Sequence, residues 1–108
     1  MQTLETINTA LAPLNLAHGT GAFTGSPSVD HYVLVPDFDT SMSADNTDYI
    51  QESHVNIEFY IAGEYRTIVA NARAYLKAAG LSVMDGQYVE FEPETSKHHY
   101  FLSIIDRA

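Results

Sequence analysis

The chain has 108 residues, no cysteine, and 14 Asp and Glu against 5 Lys and Arg, a formal net charge of -9. The lack of cysteine excludes disulfide frameworks and thiolate metal sites, and the acidic balance opposes phosphate backbones and anionic lipid surfaces, so neither direct nucleic-acid binding nor membrane association is expected. A 45% hydrophobic and 11% aromatic composition is that of one folded domain over 1–108, against a disordered acidic tail. No apolar run reaches the ~18 residues of a membrane span and no signal-peptide pattern is present, so the expectation is a soluble cytoplasmic product.

Leu4, Ile7, Leu11 and Leu14 recur at spacings of three and four, which predicts an amphipathic helix over 3–14 with Thr3 as its cap and Glu5 in its first turn. Pro13 disturbs the hydrogen-bond ladder there and ends or kinks the helix. Residues 16–28 carry Gly19, Gly21, Gly25 and Pro27 and are expected to be a mobile loop. They do not make a dinucleotide fingerprint, which needs a strand before it and a helix after it.

Residues 31–38 (HYVLVPDF) predict a strand in which Pro36 marks an edge or a bulge. A long polar loop is expected over 37–48, with little apolar content to order it within one subunit. It is expected to order against a neighbour. The next stretch alternates, Val55, Ile57, Phe59 and Ile61 on one face and His54, Asn56, Glu58 and Tyr60 on the other, as in a strand buried on one side.

Residues 64–79 (EYRTIVANARAYLKAA) form the strongest helix pattern, closed by Gly80. Tyr65, Ile68, Val69, Ala72, Leu76 and Ala79 make the stripe that faces the core. Arg66, Arg73 and Lys77 share a neighbouring stripe, and Ala70, Ala74 and Ala78 a third where another backbone has room to approach. After it, Leu81–Met84 starts a strand, Asp85-Gly86 signals a turn, and Tyr88–Phe91 resumes the strand. The last strand spans 97–105 and is apolar on both sides, which suits a central strand or one that meets a partner.

The order helix, strand, strand, helix, strand, strand predicts a two-layer α+β domain. Its sheet is twisted, mostly antiparallel or mixed, of about four strands, with both helices on one face. The second face stays open for partner subunits.

The signals for chemistry are weak. Histidines 18, 31, 54, 98 and 99 with Asp37 and Asp39 lack any metal-ligand spacing, and His98 and His99 point to opposite faces of a strand. Glu90, Glu92 and Glu94 fit a solvated edge that blocks unwanted pairing better than an acid–base pair. No glycine elbow surrounds a serine. No catalytic residue, cofactor or metal is therefore expected, and the protein is expected not to be an enzyme. Arg66, Arg73 and Lys77 suit either a solvated helix flank or an electrostatic seam between subunits.

The run ADNTDYIQESHVNIEFYI, the helix after it, and GLSVMDGQYVEFEPETSKHHYFLSIID resemble the small tail-completion and tail-terminator proteins of long-tailed bacteriophages and prophages. The positions that carry the resemblance are Ala44, Asp45, Asn46, Tyr49, Ile57, Glu58, Tyr60, Leu76, Gly80, Leu81 and Tyr88, within residues 30–106. It implies a structural role without catalysis, in a homo-oligomer, commonly a hexameric ring. Such a ring caps the tail tube, joins it to the head connector and resides in the virion after assembly in the host cytoplasm. Asp37, Asp39, Asp45, Asn46 and Asp48 of the loop, with Arg66, Arg73 and Lys77, are the candidate interface. The alternative from the residues alone is a monomeric acidic module that binds or inhibits a basic protein.

Overall fold

A computed structural model describes residues 2–21, 29–42 and 50–107. Helix α1 is Gln2–Leu11, followed by a 3-10 turn, Ala12–Leu14, in which Pro13 sits where its missing N–H costs little. Strands β1 (Ala17–Thr20), β2 (His31–Met42) and β3 (Ile50–Ile61) come next, then helix α2 (Tyr65–Ala78) and strands β4 (Ser82–Glu92) and β5 (Lys97–Arg107). The five strands form one sheet in the order β1-β2-β3-β5-β4. Only β1 and β2 run parallel, so the sheet is mixed and the fold is α+β.

The alternation read from β3 sets the core. Leu34, Ile57 and Leu102 stand side by side in register across β2, β3 and β5, and all three are fully buried. Ile7 and Leu11 of α1 and Val69, Ala72 and Leu76 of α2 complete the same apolar cluster, so both helices pack on this one face. Removing a side chain such as Ile57 or Phe59 from water contributes roughly 1.5–3 kcal/mol. Thr3, expected as a cap, lies inside α1 and donates instead to Asp106 Oδ2 at 2.9 Å, pinning the helix to the end of β5.

Helix α2 ends as its glycine predicts. Gly80 has φ +88, and the Leu81 N–H returns to the Leu76 carbonyl at 3.1 Å, which closes the last turn in a Schellman arrangement. Ala79, counted on the inward stripe, is the C-cap residue and is exposed, because the helix has finished before it.

Three expectations are corrected. The loop expected over 16–28 contains β1, which shows no alternation and is held by backbone pairing to β2 over His31–Leu34. The Gly21 N–H then donates to the Leu34 carbonyl at 2.7 Å. The described residues therefore hold five strands where about four were expected. The loop expected over 37–48 does not begin at Asp37, since β2 continues through Met42 opposite β3, past a bulge between Pro36 and Phe38. Asp37 and Asp39 thus belong to a strand, while Asp45, Asn46 and Asp48 lie outside the described residues. Finally, Asp85-Gly86 is no turn, because β4 runs continuously through it with a register shift between Val83 and Gly86 and another between Tyr88 and Glu90. A Cβ on Gly86 would stand 2.6 Å from Leu102 Cδ2 and 2.7 Å from Tyr100 Oη, so this glycine lets β4 approach β5.

Candidate interaction surface

Helix α2 covers one side of the sheet with α1, and no described helix packs on the other. Along that second face the register aligns His31 of β2, Tyr60 of β3 and His99 of β5 in one row. Their rings stack, His31 on Tyr60 at 4.9 Å between centroids and Tyr60 on His99 at 4.4 Å. Glu58 anchors the row. Its carboxylate accepts from His99 Nε2 at 2.7 Å, which puts a proton on that nitrogen, and from the Tyr60 hydroxyl at 3.5 Å. Burial, then the charges of Glu58 and Glu92, push the Tyr60 phenol up to about 12.

One strand step along, the Ser103 hydroxyl donates to Asn56 Oδ1 at 2.9 Å, and Phe101 and Ile105 lie half-buried beside it. At the other end Lys97 is buried within 4.0 Å of Asp30, whose carboxylate also accepts from the Ala62 N–H at 3.0 Å. The face thus combines apolar side chains with paired polar ones, and its carboxylates at Glu58 and Glu92 remain 29% and 28% exposed. Glu90, opposite His99, is exposed on the same side. Such a surface tolerates water and has room for a partner.

It does not gather a metal site. Glu58 meets His99 at Nε2 while Glu92 lies 3.9 Å from Nδ1, so the two carboxylates address opposite sides of one ring and cannot converge on one ion with it. No group of three metal-type ligands occurs among the described residues. His98 points the other way, as its strand position requires, and stacks near Tyr65 with its Nδ1 3.0 Å from the Tyr88 hydroxyl.

Of the residues singled out in the sequence, the structure places Arg66 and Lys77 near opposite ends of the outer side of α2, both exposed, along with exposed Ala70, Ala74 and Ala78. Arg66 lies over the Tyr65 ring at 5.5 Å. Arg73 is separated from them in role, because its Nη1 donates to the Met84 carbonyl at 3.4 Å and tethers β4 to the helix. Asp37 sits in the β2 bulge and Asp39 opposite Ser53 on β3. The row His31, Tyr60 and His99 escaped sequence reasoning. The signal for half of it was the polar alternation of β3, but strand order and register decide which residues of β2 and β5 stand beside Tyr60.

The sequence matches no protein-family model, and no curated protein matches it. No helix among the described residues is long and apolar enough to cross a membrane.

Proposed function

We propose that the protein is a structural subunit of bacteriophage virion assembly, a tail-completion or terminator protein that closes the tail tube and joins it to the head connector. It acts as a homo-oligomer, a hexameric ring in the form the resemblance implies, through shape and symmetry and without a catalytic step. The observation that supports this reading is the asymmetry of the two-layer subunit, whose sheet is covered by helices on one face only. A subunit of this size with an uncovered half-apolar face gains stability by placing that face against a neighbour.

The β2–β3 hairpin adds to this. Pairing with β5 stops at Glu52 opposite Arg107, so the hairpin continues beyond the sheet as two strands. The pairs Ser41–Gln51 and Met42–Ile50 lie past that point, about 7 Å of strand. A hairpin end that projects past the sheet edge suits contact with an adjacent subunit or the tail tube.

The test is negative-stain microscopy of the pure protein mixed with tail tubes. Density confined to one tube end supports the reading; absence of binding, or decoration along the tube wall, contradicts it. A gene position beside head-connector and tail-tube genes supports it further, and one beside a basic toxin would favour the acidic-inhibitor alternative.

A further inference from the structure

Three of the five basic residues of this acidic chain lie on α2, and Arg66 and Lys77 make no ion pair with a described residue. They flank the small residues Ala70, Ala74 and Ala78, all exposed, on the side of the helix turned away from the core. On the opposite side of the molecule, the uncovered sheet face carries exposed Glu90 and part-exposed Glu58 and Glu92. One chain therefore presents a basic helix surface outward from one layer and an acidic sheet surface outward from the other.

We propose that α2 of one copy docks, outer side down, on the uncovered sheet face of the next copy. Arg66 and Lys77 are set against Glu58, Glu90 and Glu92, and the alanine stripe lies over Asn56 and Phe101. The small side chains let the helix backbone come close to the strands, and the opposite charges draw the two surfaces together. Because the two surfaces lie on opposite layers, the contact is head-to-tail and repeats from copy to copy. It closes as a ring if the rotation allows, and otherwise grows as a filament. The contact rests on the assembly reading above and gives it a defined seam.

Size sets its strength. Helix α2 has 14 residues, about 21 Å of length, and lies over strands that span about 14 Å from β2 to β4. That footprint is below the roughly 800 Å² per partner of a standard stable interface. A single contact is therefore weak and salt-sensitive, and closure of the ring strengthens it.

The experiment is sedimentation velocity on the full chain with two charge-reversed variants, Arg66→Glu/Lys77→Glu and Glu90→Lys/Glu92→Lys. Circular dichroism melting serves as the folding control. The wild type is expected to form species larger than the 11.9 kDa monomer at about 0.1 M salt and to lose them near 1 M. Each variant alone is expected to associate at least about tenfold more weakly. Mixed together they are expected to recover association, because each then offers the charge the other lacks at both seams.

A wild type that stays monomeric at every salt overturns the contact, as does a mixture no larger than its separate components. A third variant, Ala74→Tyr, keeps every charge and blocks the close approach; wild-type association of this variant also overturns the contact. Tube-end density in microscopy that is unaffected by the charge reversals overturns the contact and leaves the assembly reading standing. Recovered association in the mixture with no density on tails supports the contact and removes the tail reading.

Discussion

The two faces of this sheet are built from neighbouring residues of the same strands and solve opposite problems. On the helix side Val55, Ile57, Phe59 and Ile61 are at most 1% exposed, and they share one apolar cluster with residues of α1 and α2. On the other side the intervening residues His54, Asn56, Glu58 and Tyr60 are all half-exposed, and Asn56, Glu58 and Tyr60 pair with one another or with β5. Folding is carried by the first face. The second adds fewer buried groups but keeps polar partners and charge at the surface, which is what a reversible contact requires. A strand thus serves both purposes at a period of two residues, without separate elements for each.

The sharpest way to break this comparison is to place a charge on each face. Ile57→Asp puts an unpaired carboxylate under the helices and is expected to cost more than about 4 kcal/mol, enough to unfold the domain. Asn56→Asp, one residue away on the other face, is expected to stay within about 1 kcal/mol of wild type. Urea unfolding followed by circular dichroism measures both, and equal losses would mean that the second face is also sealed.

Alkaline pH probes the faces next. Burial pushes the Tyr32 phenol from 10.0 to about 12, and Tyr60 is pushed to about the same value by burial with help from Glu58 and Glu92. A folded pKa above the unfolded one means that the stability is fully present below pH 10 and is lost as pH rises from 10 through 12. For Tyr32, on the sealed face, the loss is expected to approach about 2–3 kcal/mol. Tyr60 is half-exposed, so solvent reduces its share. Phenolate absorbance against pH, repeated on Tyr32→Phe and Tyr60→Phe, assigns the late-titrating groups.

Smaller effects sharpen the picture. Gly86→Ala pushes a methyl group into Leu102 and Tyr100 and is expected to cost about 1–3 kcal/mol in thermal or urea unfolding. Tyr32→Phe removes the 2.8 Å hydrogen bond to Asn8 Oδ1 and is expected to cost about 1 kcal/mol. Ser103→Ala removes the bond to Asn56 on the open face, where water replaces it, and is expected to cost about 0.5 kcal/mol.

What was legible in the sequence follows from which forces leave a pattern in it. Strand β3 and helix α2 were readable because burial on one side imposes a period, and Gly80 because a left-handed C-terminus selects glycine. Strand β1 left no trace, since Ala17–Thr20 is held by backbone bonds that any sequence can make. The outer half of the β2–β3 hairpin was hidden for the same reason. Asp85-Gly86 misled because a glycine needed for close approach to Leu102 looks the same as one needed for a turn. Among the candidate site residues, the exposure of Arg66 and Lys77 followed from helix angle alone. The tether from Arg73 to Met84, and the row of His31, Tyr60 and His99, required strand order and register, which are long-range facts.

Phe101 and Leu102 stand next to each other on β5, the first on the open face and the second, fully buried, under the helices. Unfolding Phe101→Ala and Leu102→Ala in urea, as dilute monomers, tests directly whether one face builds the fold and the other is left for partners. The expected result is a loss of about 3 kcal/mol for Leu102→Ala and about 1 kcal/mol or less for Phe101→Ala. Equal losses of about 3 kcal/mol would contradict it, because Phe101 would then be buried within a single subunit and its face would have nothing to offer a neighbour.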